Sequence, residues 1–123
     1  MEGYKGYFTR KELECTHCGE CHMDERFMQW MVMLRERCAF PFIVTSAYRC
    51  PEHPIEQAKK SPGSHSRGVA LDIKVSGKRA YTLVREAMDL RFLGIGIYQE
   101  GPKESRHVHL DMDTEGAPRP AVW

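Results

Sequence analysis

The chain has no apolar run near the roughly 20 residues that a membrane-spanning helix requires. It also has no excess of either charge: 18 Lys and Arg face 17 Asp and Glu, for a net charge of +1. That balance provides no broad basic face of the kind that holds nucleic acid. Residues 1–6, Met-Glu-Gly-Tyr-Lys-Gly, contain no apolar stretch of signal-peptide type. Synthesis in the cytoplasm is therefore expected, and any action outside the cell would depend on release by another agent. Internal repeats, low-complexity tracts and linkers are missing too. With 41% hydrophobic residues the chain is too apolar for disorder. At 123 residues it is expected to form one domain over 1–123, with a core at about 8–112 and a tail at 113–123. Neither a membrane nor a nucleic acid is an expected partner, and a monomer is expected.

What is present begins with cysteine. Five is an odd number, so a complete set of disulfides is excluded. Cys15, Cys18 and Cys21 recur at intervals of three beside His17 and His22, whereas Cys38 and Cys50 stand alone. In a cytoplasmic chain such a cluster points to metal binding or reduced thiols. Cys15 and Cys18, with Cys21, His17, His22 or the distant Cys50, could hold a second, structural zinc. No second Cys-x2-Cys follows at finger-like spacing. Structural thiols and a zinc site both stand as readings.

The pattern along the chain predicts a mixture of helices and strands. Thr9 is a suitable N-cap for a short helix over 8–14. Asp24 can cap a helix running to about Cys38, with Phe27, Met28, Met31, Leu34 and Cys38 at helical spacing. Residues 42–46 read as a buried strand, and 47–64, with three prolines, as a long irregular loop. Residues 69–75 alternate, with Val69, Leu71, Ile73 and Val75 on one face and Ala70, Asp72 and Lys74 on the other. Ser76 can cap a helix through about Leu90. Residues 94–98 and 106–112 read as two strands joined by a polar turn, and 113–123 as an irregular surface tail. The expected class is α+β, a small, mainly antiparallel sheet with flanking helices.

Chemistry concentrates on the late strands. Period-two alternation puts His107, His109 and Asp111 on one face and Val108, Leu110 and Met112 on the other. Asp72 stands on the polar face of its own strand. His65 precedes it by seven residues, in a turn containing Gly68 that can fold it back over that strand. Two imidazoles and one carboxylate converging in this way make a three-ligand zinc site with a fourth position open, the form taken by catalytic zinc.

The run Ser64-His65-Ser66-Arg67-Gly68-Val69-Ala70-Leu71-Asp72-Ile73 resembles a Ser-His-x-x-Gly-x-Ala-x-Asp signature. That signature belongs to the zinc D-Ala-D-Ala carboxypeptidase and L-alanyl-D-glutamate endopeptidase family, the peptidoglycan peptidases of bacteria and phages with a Hedgehog-like fold. Three further segments agree in order: Thr45-Ser46-Ala47-Tyr48-Arg49, Gly94-Ile95-Gly96-Ile97-Tyr98 and His107-Val108-His109-Leu110-Asp111. The resemblance implies one catalytic zinc on His65, Asp72 and His109, and an arginine, Arg49, that holds the substrate's carbonyl or carboxylate. A guanidinium suits that task because it offers two parallel donors.

One position departs from the pattern. Many relatives place a catalytic carboxylate three residues before the last histidine ligand, where this chain has Arg106. His107, Asp111 and Glu104 are the substitutes. His107 is expected to act as general base and Asp111 to support it by orienting a ligating histidine. The implied activity is zinc-dependent hydrolysis of an amide bond in peptidoglycan stem peptides. A carboxypeptidase or an endopeptidase would fit, working as a phage endolysin after release or as part of a virion. The alternative is a non-catalytic zinc-containing module of the same fold that binds cell wall or protein.

Overall fold

The computed structural model describes residues 6–123. Its first element, α1 (Arg10–Leu13), opens with a capping box in which Thr9 and Glu12 satisfy each other's backbone N–H groups. Helix α2 (Glu25–Cys38) starts where Asp24 accepts from the Phe27 N–H. It ends at Ala39, which adopts the left-handed conformation at φ 58°. Its buried residues are Phe27, Met28, Met31, Leu34 and Cys38, the stripe that the spacing predicts. Helix α4 (Gly77–Asp89) buries Ala80, Leu83 and Ala87, and its N-cap Ser76 makes no side-chain bond there. Among the described residues no helix is long and apolar enough to cross a membrane.

Among the described residues five strands form one sheet in the order β1-β2-β4-β3-β5. They are β1 (Ile43–Ser46), β2 (Ala70–Lys74), β3 (Gly94–Tyr98), β4 (His107–Asp111) and β5 (Ala121–Val122). All pairings are antiparallel except β3 with β5. The class is α+β, as the pattern predicts. Leu71, Ile73, Val108, Leu110 and Ile95 share one apolar core with the buried stripes of α2 and α4. The opposite face of β2 and β4 is left for polar groups.

Three segments differ from expectation. Strand β1 is an edge rather than a buried strand: Ile43 and Thr45 are exposed, and among the described residues only β2 pairs with it. Its unbroken apolar run reflects neighbours on either side of the strand, Phe42 and Ala47, which are buried. The loop at 47–64 contains a one-turn helix, α3 (Pro54–Gln57), begun by proline at its first position. Residues 113–123 are bound to the sheet. Trp123 donates its N–H to Ile95 O at 3.0 Å and accepts from Ile97 N–H at 2.6 Å, so β5 adds a strand beside β3.

Candidate metal centre

The cross-strand register assembles half of the centre. Asp72 on β2 lies directly opposite His109 on β4, and opposed residues of an antiparallel pair project from the same face. His109 Nδ1 is 3.0 Å from Asp72 Oδ1. His65 arrives from the loop before β2, its Nε2 3.4 Å from the same carboxylate oxygen. One ligand-type atom from each of the three side chains falls within 4.8 Å of the others. The turn that brings His65 in depends on Gly68. Its φ is +73°, and a Cβ there would overlap the His22 carbonyl.

The outer nitrogens of both rings are committed. His65 Nδ1 lies 2.7 Å from the Ala47 carbonyl, which can only accept, so this nitrogen carries the proton. His109 Nε2 lies 2.6 Å from Asp111 Oδ2, and by the same reasoning it donates to that carboxylate. The remaining nitrogens, His65 Nε2 and His109 Nδ1, then turn lone pairs towards Asp72. Three acceptors in so small a space require positive charge among them, either extra protons or a metal ion. This is also how metal-binding histidines are oriented, with the far N–H held by a carbonyl or carboxylate. The donor set fits zinc, with three protein ligands and room for a fourth.

Electrostatics match. Burial raises Asp72, but hydrogen bonds and charge from His109 and His65 outweigh it and hold its carboxyl well below the usual range. Burial lowers His109, while Asp111 and Asp72 raise it by more. Burial also raises Asp111, yet His109 and Arg119 keep it strongly depressed.

Asp111 is fully buried and fully engaged. Besides His109 it accepts the Arg119 fork, Nε to Oδ1 at 3.0 Å and Nη2 to Oδ2 at 2.8 Å. The Asp113 N–H adds a further bond at 3.1 Å. Glycine at 94 makes room for it, because a Cβ there would overlap the carboxylate. Gly96 plays the same part for the Trp123 indole, which would lie 2.9 Å from such a Cβ. The glycine-rich strand is thus a floor cut away beneath two side chains of the centre.

The centre opens into a cleft of about 330 Å³. Its walls include Arg49, Lys59, Tyr98, His107, Arg119 and Trp123. His107 Nδ1 lies 3.1 Å from the Ser105 carbonyl, so it donates there, and its ring stacks on Tyr98 at 4.5 Å. Its Nε2 has no hydrogen-bond partner among the described residues. Arg49 Nε is buried without a hydrogen bond, 3.4 Å from Glu56 Oε2. Glu56 is buried and also accepts from Lys59 Nζ at 2.9 Å and Gly63 N–H at 2.7 Å. Burial raises its pKa, but those two bonds and Arg49 bring it below the ordinary value.

Arg106 and Glu104 stand apart from this cleft. The Arg106 side chain donates to the Gly101 carbonyl at 3.0 Å and borders a separate apolar groove with Tyr81 and Met88. Glu104 is exposed on the 3-10 turn Lys103–Ser105.

Sequence reasoning missed Arg119 and Trp123, which lie on a segment without periodicity, and Glu56 and Lys59, which lie in a loop.

The peptidase M15 family model matches residues 6–111. The chain belongs to the peptidase M15 family. No curated protein and no solved structure matches it. M15 members are zinc peptidases, so membership implies a metallopeptidase and a peptide substrate.

Proposed function

We propose that this M15 chain hydrolyses an amide bond in peptidoglycan stem peptides, using one zinc ion held by His65, Asp72 and His109. The observation that carries the reading is the convergence of three metal-ligating atoms whose supporting bonds turn their lone pairs inward. Bound there, zinc would acidify a water and polarise the scissile carbonyl.

The chain's own groups supply the rest. Asp111, saturated by Arg119, fixes the His109 ring and holds its proton at Nε2. The Ala47 carbonyl does the same for His65 at Nδ1. His107, with Nδ1–H spent on Ser105, keeps Nε2 as the site that takes a proton from the attacking water and returns it to the leaving amine. Arg49 binds the oxyanion or a substrate carboxylate. Arg49 and Lys59 share one carboxylate, Glu56, so that wall of the cleft keeps a net positive charge. Stem peptides are rich in carboxylates, which suits that wall.

Purified cell walls incubated with the chain should release peptide fragments whose new amine and carboxyl ends mass spectrometry can assign. Chelator should abolish the release and zinc restore it. Intact walls after full metal loading would contradict the reading. A second reading, a zinc-holding binding module, is favoured by one observation: with Arg106 turned away, no uncommitted carboxylate among the described residues faces the cleft. Wall binding without fragment release would select it.

A further inference from the structure

Away from the cleft, a second set of ligand-type side chains converges. Cys15, Cys18 and Cys50 bring their sulfurs within 4.8 Å of one another, and none is in a disulfide. His17 Nδ1 lies 3.4 Å from Cys50 Sγ. The backbone is shaped around these sulfurs. The His17 N–H reaches Cys15 Sγ at 3.4 Å and the Glu20 N–H reaches Cys18 Sγ at 3.5 Å, each two residues past its thiol. From across the loop the Cys50 N–H reaches Cys15 Sγ at 3.3 Å. Gly19, at φ +76°, turns the chain immediately after Cys18, and its N–H closes on the Cys15 carbonyl at 2.8 Å.

Donors aimed at sulfur favour thiolate over thiol. A cysteine that merely fills space needs no such donors; Cys38, on the apolar stripe of α2, is of that kind. Two other residues of the N-terminal cluster lie outside the convergence. His22 pairs with Glu20 at 2.8 Å and meets the Tyr48 ring edge-on. Cys21 is not among the three converging sulfurs.

We propose that Cys15, His17, Cys18 and Cys50 hold a structural zinc ion that fastens the segment before α2 to the loop carrying Arg49. Three thiolates and one imidazole form a closed tetrahedral donor set. Sulfurs bound at about 2.3 Å to one tetrahedral ion stand about 3.8 Å apart. The three sulfurs, within 4.8 Å of one another, therefore close by about 1 Å or less on taking the metal. Cys50 follows Arg49 directly, and the neighbouring Tyr48 N–H bonds to Leu13 O at 3.3 Å, so the ion extends an existing tie. Its role is positional, because the loop has no strand ladder to hold Arg49 over the cleft.

The test replaces zinc with cobalt(II) in the reduced full chain. Cobalt held by thiolates gives an intense near-ultraviolet charge-transfer band, which a site of imidazoles and carboxylate cannot produce. The band should appear in wild type and persist in His65→Ala, so this site and the cleft site fail independently. Cys50→Ser should lose most of the band and one equivalent of zinc, while Cys21→Ser and Cys38→Ser keep both. His17→Ala should shift the visible bands; unchanged bands would remove His17 from the set. Where a serine variant folds poorly, alkylation of wild type decides. Exposed Cys18 should be protected with zinc present and react after chelation. A wild type without the band, a Cys15–Cys50 disulfide, or a Cys50→Ser chain with the full band would overturn the proposal.

Discussion

Asp72, His109 and Asp111 stand on paired strands, whereas His65 and Arg49 ride on a segment without a ladder. In the first group the register sets the backbone positions: Asp72 faces His109, and Gly94 faces Asp111. In the second, position comes from individual bonds between side chains and backbone. His65 Nδ1 donates to Ala47 O, Ser66 Oγ donates to Arg49 O at 2.6 Å, and the Arg49 N–H reaches His65 O at 3.3 Å. Glu56 gathers Arg49, Lys59 and the Gly63 N–H around one buried carboxylate. A sheet tolerates the loss of one contact because its neighbours hold the register. A pinned loop does not, and there Arg49 is most vulnerable.

On the sheet side, His107→Ala should keep its metal and lose roughly 10²- to 10⁴-fold in kcat, the range for one acid-base group. Full activity there would return the base assignment to another group. On the loop side, Arg49→Ala should lower kcat by roughly 10²- to 10³-fold, the cost of one oxyanion donor. Zinc content should be unchanged. Arg49→Lys should recover little, since an ammonium cannot reproduce the planar fork.

A smaller effect is expected where the sheet supports His109, the proposed ligand. Asp111→Ala should weaken zinc binding by about 10- to 100-fold, measured by competition with a chromogenic chelator. Undiminished affinity would mean that the Asp111–His109 bond orients nothing.

The smallest effect falls on the loop. Glu56 has a folded pKa below its ordinary 4.5, so its ionised form stabilises the fold. That contribution is present above about pH 4.5 and is lost as pH falls through the folded value. Glu56→Gln should cost roughly 1.5–3 kcal/mol near neutrality, as for hydrogen bonds to a charged group. The gap to wild type should narrow in denaturant melts below about pH 4.5. A gap constant through the acid range would contradict an ionised Glu56.

The same division governs what the sequence reveals. Asp24, the Phe27-to-Cys38 stripe and the alternation at 69–75 and 106–112 are local signals, and α2, β2 and β4 follow them closely. The grouping of His65, Asp72 and His109 was legible because two strands and a motif each declare which face their polar residues occupy. The partners of those residues are not local. Arg119 meets Asp111 only because β5 crosses to lie parallel to β3, a pairing without a sequence period. Glu56 is buried by loop closure rather than by an apolar pattern. Cys50 lies 35 residues from Cys15, so no spacing rule selects it over Cys21 or His22.

His65, Asp72 and His109 are proposed to hold one zinc ion. Metal content of the folded Asp72→Ala chain, beside wild type, tests it most directly. One equivalent of zinc should be lost, with the thiolate–cobalt band unchanged and the fold intact by circular dichroism. An Asp72→Ala protein that keeps the full wild-type zinc content, released by chelator no faster, would contradict it.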